Sequence, residues 1–199
     1  MNLYFLRHAV AVDRASPDYV EDSQRPLTPD GRQKMERVAR GMKALGLSFD
    51  WILSSPSLRA VATAEIVAKA LELGRKMKFS EYLAPEGDPE RLVEQIGRMD
   101  GSRKRLLVVG HEPYLSGLAG TLIGGHGGVG LQLKKGGLCK LAIAKLKFGR
   151  CAELKWLLTP RQLSLLADRP RRPPGKQRMT GARMTRGAND GAMGSSQSF

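Results

Sequence analysis

Short apolar runs alternate with amphipathic segments through most of this chain, and this alternation constrains the fold more than any other feature. The apolar runs, each of strand length, cover residues 3–6, 50–55, 77–82 and 105–110. The run at 105–110 is the clearest buried strand. Strands that alternate with helices are typical of a mostly parallel sheet. The pattern therefore predicts an α/β fold of three layers, α/β/α, with helices on both faces of a mostly parallel central sheet.

The segments between these runs carry the start signals and the spacing of helices. Thr28 can cap a helix that starts at Pro29, and apolar residues then recur at helical spacing up to a stop signal at Gly46. Further helices are predicted at 57–73, from Asp88-Pro89 onwards and at 113–123. The end of the pattern, at 138–146 and 152–158, predicts a late antiparallel strand pair.

The chain divides by composition into a globular part and a tail. Its 199 residues suffice for one domain with a proper core, which we assign to residues 1–160. Residues 168–199 are rich in Gly, Pro, Arg and Ser and hold seven basic residues against two acids. Because such a segment cannot bury enough surface to offset its ordering entropy, we predict a disordered basic C-terminal tail. Its expected interactions are limited to weak contact with anionic polymers.

The charge of the chain favours anionic partners. The net charge is +14 at pH 7, which suits phosphorylated substrates, nucleic acid or an acidic membrane surface. The aromatic–basic interleaving that stacks nucleic-acid bases is not seen in the sequence, which counts against nucleic acid. No run of 18 apolar residues and no signal-peptide pattern is found either, so we expect a cytoplasmic monomer without membrane contact.

Cysteine and histidine usage predicts neither a metal site nor a cofactor. Cys139 and Cys151 fall in two neighbouring predicted strands, where we expect free thiols, although a disulfide is possible in principle. The three histidines, His8, His111 and His126, have no zinc-binding spacing.

Charged and nucleophilic side chains follow three of the predicted strands, at the point where each strand ends. The first strand runs into Arg7 and His8, the second is followed by Arg59, and the central strand ends at His111. The carboxyl ends of parallel strands lie at one edge of a sheet, where such folds bind ligands. Each residue alone has an ordinary explanation, such as an ion pair for Arg7. The four together predict a site.

Two arginines beside two imidazoles suit phosphoryl transfer. Guanidinium groups bind phosphate oxygens in a bidentate fork and stabilise the charge of the transition state. A neutral imidazole can attack phosphorus and form a covalent intermediate. Because the sequence has no Asp-rich magnesium site, these residues indicate a metal-free route through a phosphohistidine.

Four motifs resemble the histidine phosphatase superfamily, which has the phosphoglycerate-mutase-like fold. They are LRHA at 6–9, RPLTPDG at 25–31, SSPSLRA at 54–60 and VGHEP at 109–113. The short spacing between the motifs, with no large insertion, resembles the SixA-type phosphohistidine phosphatases. The resemblance implies that His8 is the nucleophile and that Arg7, Arg59 and His111 form the phosphate pocket. It also implies that His111 donates a hydrogen bond to a phosphate oxygen.

The acid–base residue is the least determined part of the predicted site. The resemblance implies a carboxylate, but larger members supply it from an insertion that this chain lacks. Glu86, in the loop after the third strand, is the candidate, and Asp88 is the second, although Asp88 can instead cap the third helix. Glu112 either contacts substrate or serves local structure. A phosphohistidine substrate would relax the need for this residue, because its protonated imidazole is already a good leaving group.

Three functions stay open at this point. The first is a metal-independent phosphatase that acts on protein phosphohistidine through a covalent intermediate on His8. The second is a phosphatase of a small phosphorylated metabolite with the same site. The third is a non-catalytic binder of anionic ligands, which the net charge suggests. Its binding would survive replacement of His8.

Overall fold

The centre of the fold is a six-stranded mixed sheet. The computed structural model describes residues 1–74, 76–99 and 104–168. The strands are β1 (Asn2–Arg7), β2 (Trp51–Ser54), β3 (Met77–Phe79), β4 (Arg105–Gly110), β5 (Leu138–Ile143) and β6 (Ala152–Leu158). Their order is β3-β2-β4-β1-β5-β6, in which β3, β2, β4 and β1 run parallel. Strand β5 is antiparallel to both β1 and β6, which confirms the predicted late antiparallel pair.

Helices cover both faces of this sheet. Within the described residues they are α1 (Pro29–Ala44), α2 (Leu58–Ala70), α3 (Pro89–Gly97), α4 (Tyr114–Gly124) and α5 (Pro160–Ala167). Alternate side chains of β1 point to opposite faces. Tyr4 and Leu6 pack in one apolar cluster with α1, α2 and α5, whereas Leu3 and Phe5 pack in the other with α3 and α4. The predicted three-layer α/β/α arrangement is therefore confirmed.

Capping signals located two helices correctly. The Gly31 N–H donates to Oγ1 of Thr28 at 2.9 Å, and Pro29 occupies the first helical position of α1. Gly46 follows the end of α1 with φ 68°, a left-handed conformation that favours glycine. The carboxylate of Asp88 accepts hydrogen bonds at the start of α3. These short polar residues fix where α1 and α3 begin.

Other predicted boundaries were wrong by one to three residues. Helix α2 ends at Ala70 rather than at 73, because Glu72 turns the backbone to φ 57°. Strand β3 stops at Phe79 rather than at 82, because residues 81–83 form a 3₁₀ turn. Helix α4 is shifted by one residue from the predicted 113–123, and β5 ends at Ile143 rather than at 146. Apolar periodicity predicts an element better than its ends.

Helix α5 was not predicted. It starts with a capping box in which Thr159 and Gln162 exchange hydrogen bonds. Leu163 is fully buried, and its backbone carbonyl lies so close to Gly41 of α1 that a Cβ there would collide with it. Helix α5 thus extends the packed part of the chain past residue 160. The predicted disordered tail at 168–199 lies, apart from Asp168, outside the described residues.

Two smaller features concern thiols and membranes. Cys139 is buried in β5, Cys151 is half-buried just before β6, and both are free thiols. None of the helices in the described part of the chain has the length and apolar character that crossing a membrane requires.

Candidate active site

The residues that follow β1, β2 and β4 lie side by side at the carboxyl edge of the sheet. The backbone N–H of His8 donates to the carbonyl of Gly110 at 3.0 Å, and that of Ser55 donates to the carbonyl of Val109 at 2.9 Å. The hydrogen-bond pattern of the sheet therefore continues one residue past each strand. This rigid continuation brings the loops after β1, β2 and β4 together, as the sequence predicts.

A cavity of about 440 Å³ opens at this edge. Arg7, His8, Arg59 and His111 all line it, so the structure brings together the four residues singled out from the strand ends. Glu86 lies on its wall. The rest of the lining comes mainly from the loop between β1 and α1 and from the residues next to Glu86 and His111.

His8 presents a neutral ring with its lone pair on Nε2. Its Nδ1 lies 2.7 Å from the carbonyl oxygen of Ala9. A carbonyl oxygen only accepts, so Nδ1 carries the proton and Nε2 does not. Burial lowers the pKa of His8 to about 3, and the positive charges of Arg59 and Arg7 act in the same direction, although the Ala9 hydrogen bond opposes them. At neutral pH the ring is therefore uncharged and its Nε2 is nucleophilic.

His111 lies beside His8, with 5.2 Å between the ring centroids. It is buried, and its Nε2 is 2.8 Å from the hydroxyl oxygen of Ser55. Burial, followed by the charge of Arg59, lowers its pKa to about 4. Its Nδ1 is buried without a hydrogen-bond partner in the protein. This ring is neutral as well, and one of its nitrogens is left to a ligand.

The two arginines of the site each keep a buried nitrogen without a partner. One terminal nitrogen of Arg7 donates to the carbonyl of Leu133 at 3.0 Å. The terminal nitrogens of Arg59, which is only 3% exposed, donate to the backbone carbonyl and the carboxylate of Asp22. The Nε of both arginines has no partner in the protein. A buried N–H without an acceptor is costly, and a bound anion would supply acceptors.

Asp22 is a member of the site that sequence reasoning missed. Its carboxylate lies 2.6 Å from Arg59, contacts Arg25, and is 3.4 Å from Arg14. Burial acts to raise its pKa, but hydrogen bonds from Arg25 and Arg59 outweigh burial and hold the pKa below the ordinary value. Asp22 is therefore a carboxylate among three guanidinium groups. It ties the loop between β1 and α1 to Arg59.

Comparisons with known proteins show which family the chain resembles. The family model of the histidine phosphatase superfamily (branch 1) matches residues 3–84. An uncharacterised protein of Picosynechococcus sp. is 40% identical over 166 residues, which cover 82% of this chain and 99% of that protein. Phosphohistidine phosphatase SixA of Escherichia coli is 30% identical over 128 residues, or 63% of this chain and 76% of that protein. The chain belongs to the histidine phosphatase superfamily.

Solved structures have the fold of this histidine phosphatase. The structure of the protein histidine phosphatase SixA complexed with tungstate has a TM-score of 0.71 at 24% identity, over 82% of this chain and 99% of that one. A putative SixA from Agrobacterium tumefaciens has a TM-score of 0.62 at 23% identity, over 80% and 97%. These structures show the fold, and the 30% identity to Escherichia coli SixA confirms the SixA-type branch that the motifs predict.

The three carboxylates considered for proton exchange differ in position within the histidine phosphatase fold. Asp88 accepts hydrogen bonds from the N–H groups of Glu90 and Arg91, so it caps α3. Glu112 lines the cavity, but its carboxylate accepts a hydrogen bond from the N–H of Ser116 at 3.1 Å, which is a local structural role. Glu86 is exposed on the cavity wall. Glu86 therefore stays the candidate.

Two further predictions concern metals and His126. In the part of the chain that the structure describes, no three His, Cys, Asp or Glu side chains are grouped so that they could hold a metal ion. His126 is exposed in a 3₁₀ turn at 125–127 and is not among the residues that line the cavity. It therefore provides an internal control for experiments on the other two histidines.

Proposed function

We propose that this protein is a metal-independent phosphatase that works through a covalent phosphohistidine on His8. The observation that carries the proposal is the set of three buried nitrogens without partners, on Arg7, Arg59 and His111, around a neutral imidazole. A phosphoryl group supplies oxygen acceptors to all three while its phosphorus faces Nε2 of His8. Donors placed in advance where charge develops are the largest source of rate acceleration in many enzymes.

The reaction runs in two displacements at phosphorus. In the first, the lone pair on Nε2 of His8 forms a bond to phosphorus while the bond between phosphorus and the leaving group breaks. The electron pair of the broken bond goes to the leaving group. In the second, water attacks the phosphorus of the phosphohistidine, the bond to Nε2 breaks, and phosphate leaves. The hydrogen bond from Nδ1 to Ala9 holds the ring in place through both steps. His8 is neutral again at the end.

The leaving group needs a proton whose source depends on the substrate. An alkoxide must be protonated as it leaves, and we assign this role to Glu86 on the cavity wall. A phosphohistidine leaves as a neutral imidazole when its ring is already protonated. The same carboxylate then accepts a proton from the water that attacks the phosphohistidine in the second step.

We infer that the physiological substrate is a phosphohistidine on a protein. Pockets for small metabolites are lined mostly by apolar and aromatic side chains. No Phe, Tyr or Trp is found among the described residues that line this cavity, and most of them are charged or polar. A polar cavity at a sheet edge suits a phosphorylated side chain presented by another protein. Escherichia coli SixA, a relative of this chain, is named as a phosphohistidine phosphatase.

Replacement of His8 tests the proposal. We expect His8→Ala to lower turnover of a chromogenic phosphate ester and of a phosphohistidine protein by about 10³-fold or more, whereas His126→Ala leaves both unchanged. Mass spectrometry of trapped wild-type protein should find phosphate on His8. Undiminished turnover by His8→Ala would refute the mechanism.

The choice of substrates separates the alternatives. Turnover of small esters without turnover of the phosphoprotein would favour a metabolite phosphatase. Salt-dependent binding of anions without any turnover would favour the non-catalytic binder.

A further inference from the structure

Ser55 contacts His111 from behind the cavity. It follows β2 and is fully buried, and its backbone N–H donates a hydrogen bond to the carbonyl of Val109. It is not among the residues that line the cavity. Its hydroxyl oxygen lies 2.8 Å from Nε2 of His111. Ser55 can therefore influence the cavity through the ring of His111.

The neighbours of this hydroxyl limit the acceptors that its proton can have. The N–H of Ser57 donates to the Ser55 oxygen at 3.3 Å, which uses one of its lone pairs. The single proton of the hydroxyl then has two possible acceptors, Oγ of Ser57 at 3.4 Å and Nε2 of His111 at 2.8 Å. Hydrogen bonds between an oxygen and a ring nitrogen are strong near 2.8 Å and weak near 3.4 Å. The contact with His111 is therefore the stronger of the two, and its length suits a hydroxyl that donates to Nε2 as well as an Nε2–H that donates to the hydroxyl.

A ring that accepts at Nε2 must carry its own proton on Nδ1, because a neutral imidazole has one N–H and one lone pair. Nδ1 is the nitrogen of His111 that is buried without a partner. With the proton on Nδ1, His111 has an N–H that could donate to an anion bound in the cavity that it lines. With the opposite tautomer, a lone pair on Nδ1 would face the same anion and repel it. The tautomer thus decides whether a neutral His111 favours or disfavours binding of an anion in the cavity.

We propose that Ser55 is a positioning residue that holds neutral His111 in the Nδ1–H tautomer, so that the ring donates a hydrogen bond from Nδ1. That the acceptor is a phosphoryl oxygen rests on the proposed function, whereas the tautomer is a property of the free protein. Ser55 thereby lets His111 act as a donor without being protonated. His111 therefore does not have to become a cation beside His8, whose Nε2 lone pair must stay available.

The tautomer can be read without any variant. The chain has three histidines, so ¹⁵N-histidine labelling gives a simple spectrum in which protonated and unprotonated ring nitrogens are well separated. We expect His111 in the wild-type protein at neutral pH to show protonated Nδ1 and unprotonated Nε2. Protonated Nε2 in the wild-type protein would overturn the proposal, whatever the enzymatic activity.

Ser54 provides a matched control for a variant test. It is as fully buried as Ser55 and one residue earlier, but its hydroxyl donates to the backbone carbonyl of Ser55 at 2.9 Å. We expect Ser55→Ala to mix the two tautomers of His111 and to lower kcat about 10- to 100-fold, below the 10²- to 10³-fold typical of removing a donor outright. Ser54→Ala should leave the His111 spectrum unchanged and kcat within about twofold.

The outcomes separate this inference from the proposed function. An unchanged His111 tautomer in Ser55→Ala would overturn the positioning role, even if His8→Ala is inactive. Conversely, an active His8→Ala protein would refute the covalent mechanism, whereas a tautomer that depends on Ser55 would still support the role of Ser55. A fold check by circular dichroism on each variant ensures that the spectra compare folded proteins.

Discussion

The two edges of the sheet carry cavities of nearly equal size and different character. At the carboxyl edge the cavity measures about 440 Å³, and at the amino edge a second cavity of about 410 Å³ is lined by Met1, Trp51, Met99 and Arg105, among others. Each edge also holds an arginine–aspartate pair, Arg59 with Asp22 and Arg105 with Asp50. Size and the presence of an arginine–aspartate pair therefore do not by themselves distinguish the two cavities.

What distinguishes them is whether buried polar groups have partners. At the carboxyl edge, nitrogens of Arg7, Arg59 and His111 are buried without any. At the amino edge, Arg105 is bonded to Asp50, and none of the described side chains lining that cavity has a buried nitrogen or oxygen without a partner. A binding site keeps unsatisfied donors for its ligand, whereas a structural ion pair satisfies itself.

The arginines give the largest expected contrast. We expect Arg59→Ala to lower kcat/KM by about 10²- to 10³-fold, because a buried cation that contacts the phosphoryl group is lost. Arg105 is 45% exposed at the other edge. Arg105→Ala should keep kcat/KM within about twofold and change the free energy of unfolding by about 1 kcal/mol or less. Steady-state kinetics and urea unfolding of both variants measure the difference. Equal loss of activity in both variants would contradict the assignment of the site to the carboxyl edge.

The buried histidines predict acid sensitivity that originates at the carboxyl edge. The folded-state pKa values of His8 and His111, about 3 and about 4, lie below the usual 6.5. Below pH 6.5 these two histidines become protonated in the unfolded chain but stay neutral in the folded chain. Acidification therefore lowers the free energy of unfolding. Each histidine contributes at most about 1.4 kcal/mol per pH unit.

Urea unfolding between pH 7 and pH 5 measures this effect. The double variant His8→Asn, His111→Asn should lose much of the pH dependence, whereas His126→Asn, which changes an exposed ring, should retain it. A wild-type protein whose stability does not change over this range would contradict the assignment of two buried neutral rings.

The aspartates give a smaller contrast. The Asp22 carboxylate is paired with Arg59 and Arg25, so under the proposed function it would compete with a bound phosphate for both. We therefore expect Asp22→Asn to strengthen inhibition by inorganic phosphate several-fold, by about 1 kcal/mol, because one negative charge leaves the cavity. Asp50→Asn, at the amino edge, should leave this inhibition unchanged. Weaker inhibition in Asp22→Asn would instead mean that Asp22 mainly orients the arginines.

Exposed lysines should give the smallest contrast. Lys135 lines the carboxyl-edge cavity and Lys104 the amino-edge cavity, and both are exposed. We expect Lys135→Ala to raise KM about two- to threefold at low salt and to have less effect at high salt, because exposed charges are screened. Lys104→Ala should leave KM unchanged at both salt concentrations. A KM effect of Lys104→Ala equal to that of Lys135→Ala would show that overall charge, rather than the site, attracts substrate.

The sequence predicted those parts of the site that follow directly from strands. Arg7, His8 and His111 lie at or next to the end of a strand, so apolar patterning was enough to bring them together. Asp22 lies in a long loop without periodicity, and only the folded path of that loop places it against Arg59. The role of Ser55 depends on the difference between 2.8 Å and 3.4 Å, which no sequence pattern contains.

The same limit applies to the fold. The central sheet and its helices follow from alternating patterns that repeat along the chain. Helix α5 has eight residues and comes directly after β6, next to a segment whose composition resembles a tail. One buried side chain, Leu163, anchors it. A single buried side chain is too weak a signal to predict a helix from sequence, although the Thr159–Gln162 capping box is a signal that could have been read.

The closed base of the loop between β1 and α1 has a consequence for how this enzyme can diversify. The N–H of Val12 donates to the carbonyl of Pro26 at 3.0 Å, and that of Thr28 donates to the carbonyl of Val10 at 3.1 Å. These bonds fix the two ends of the loop whatever its length, and doubling a flexible loop costs only about 0.6 kcal/mol. The stretch around Val20, which is 98% exposed, can therefore lengthen or change while His8 stays in place. Evolution, or a protein engineer, can exchange this stretch as a module to alter which phosphorylated partner is admitted.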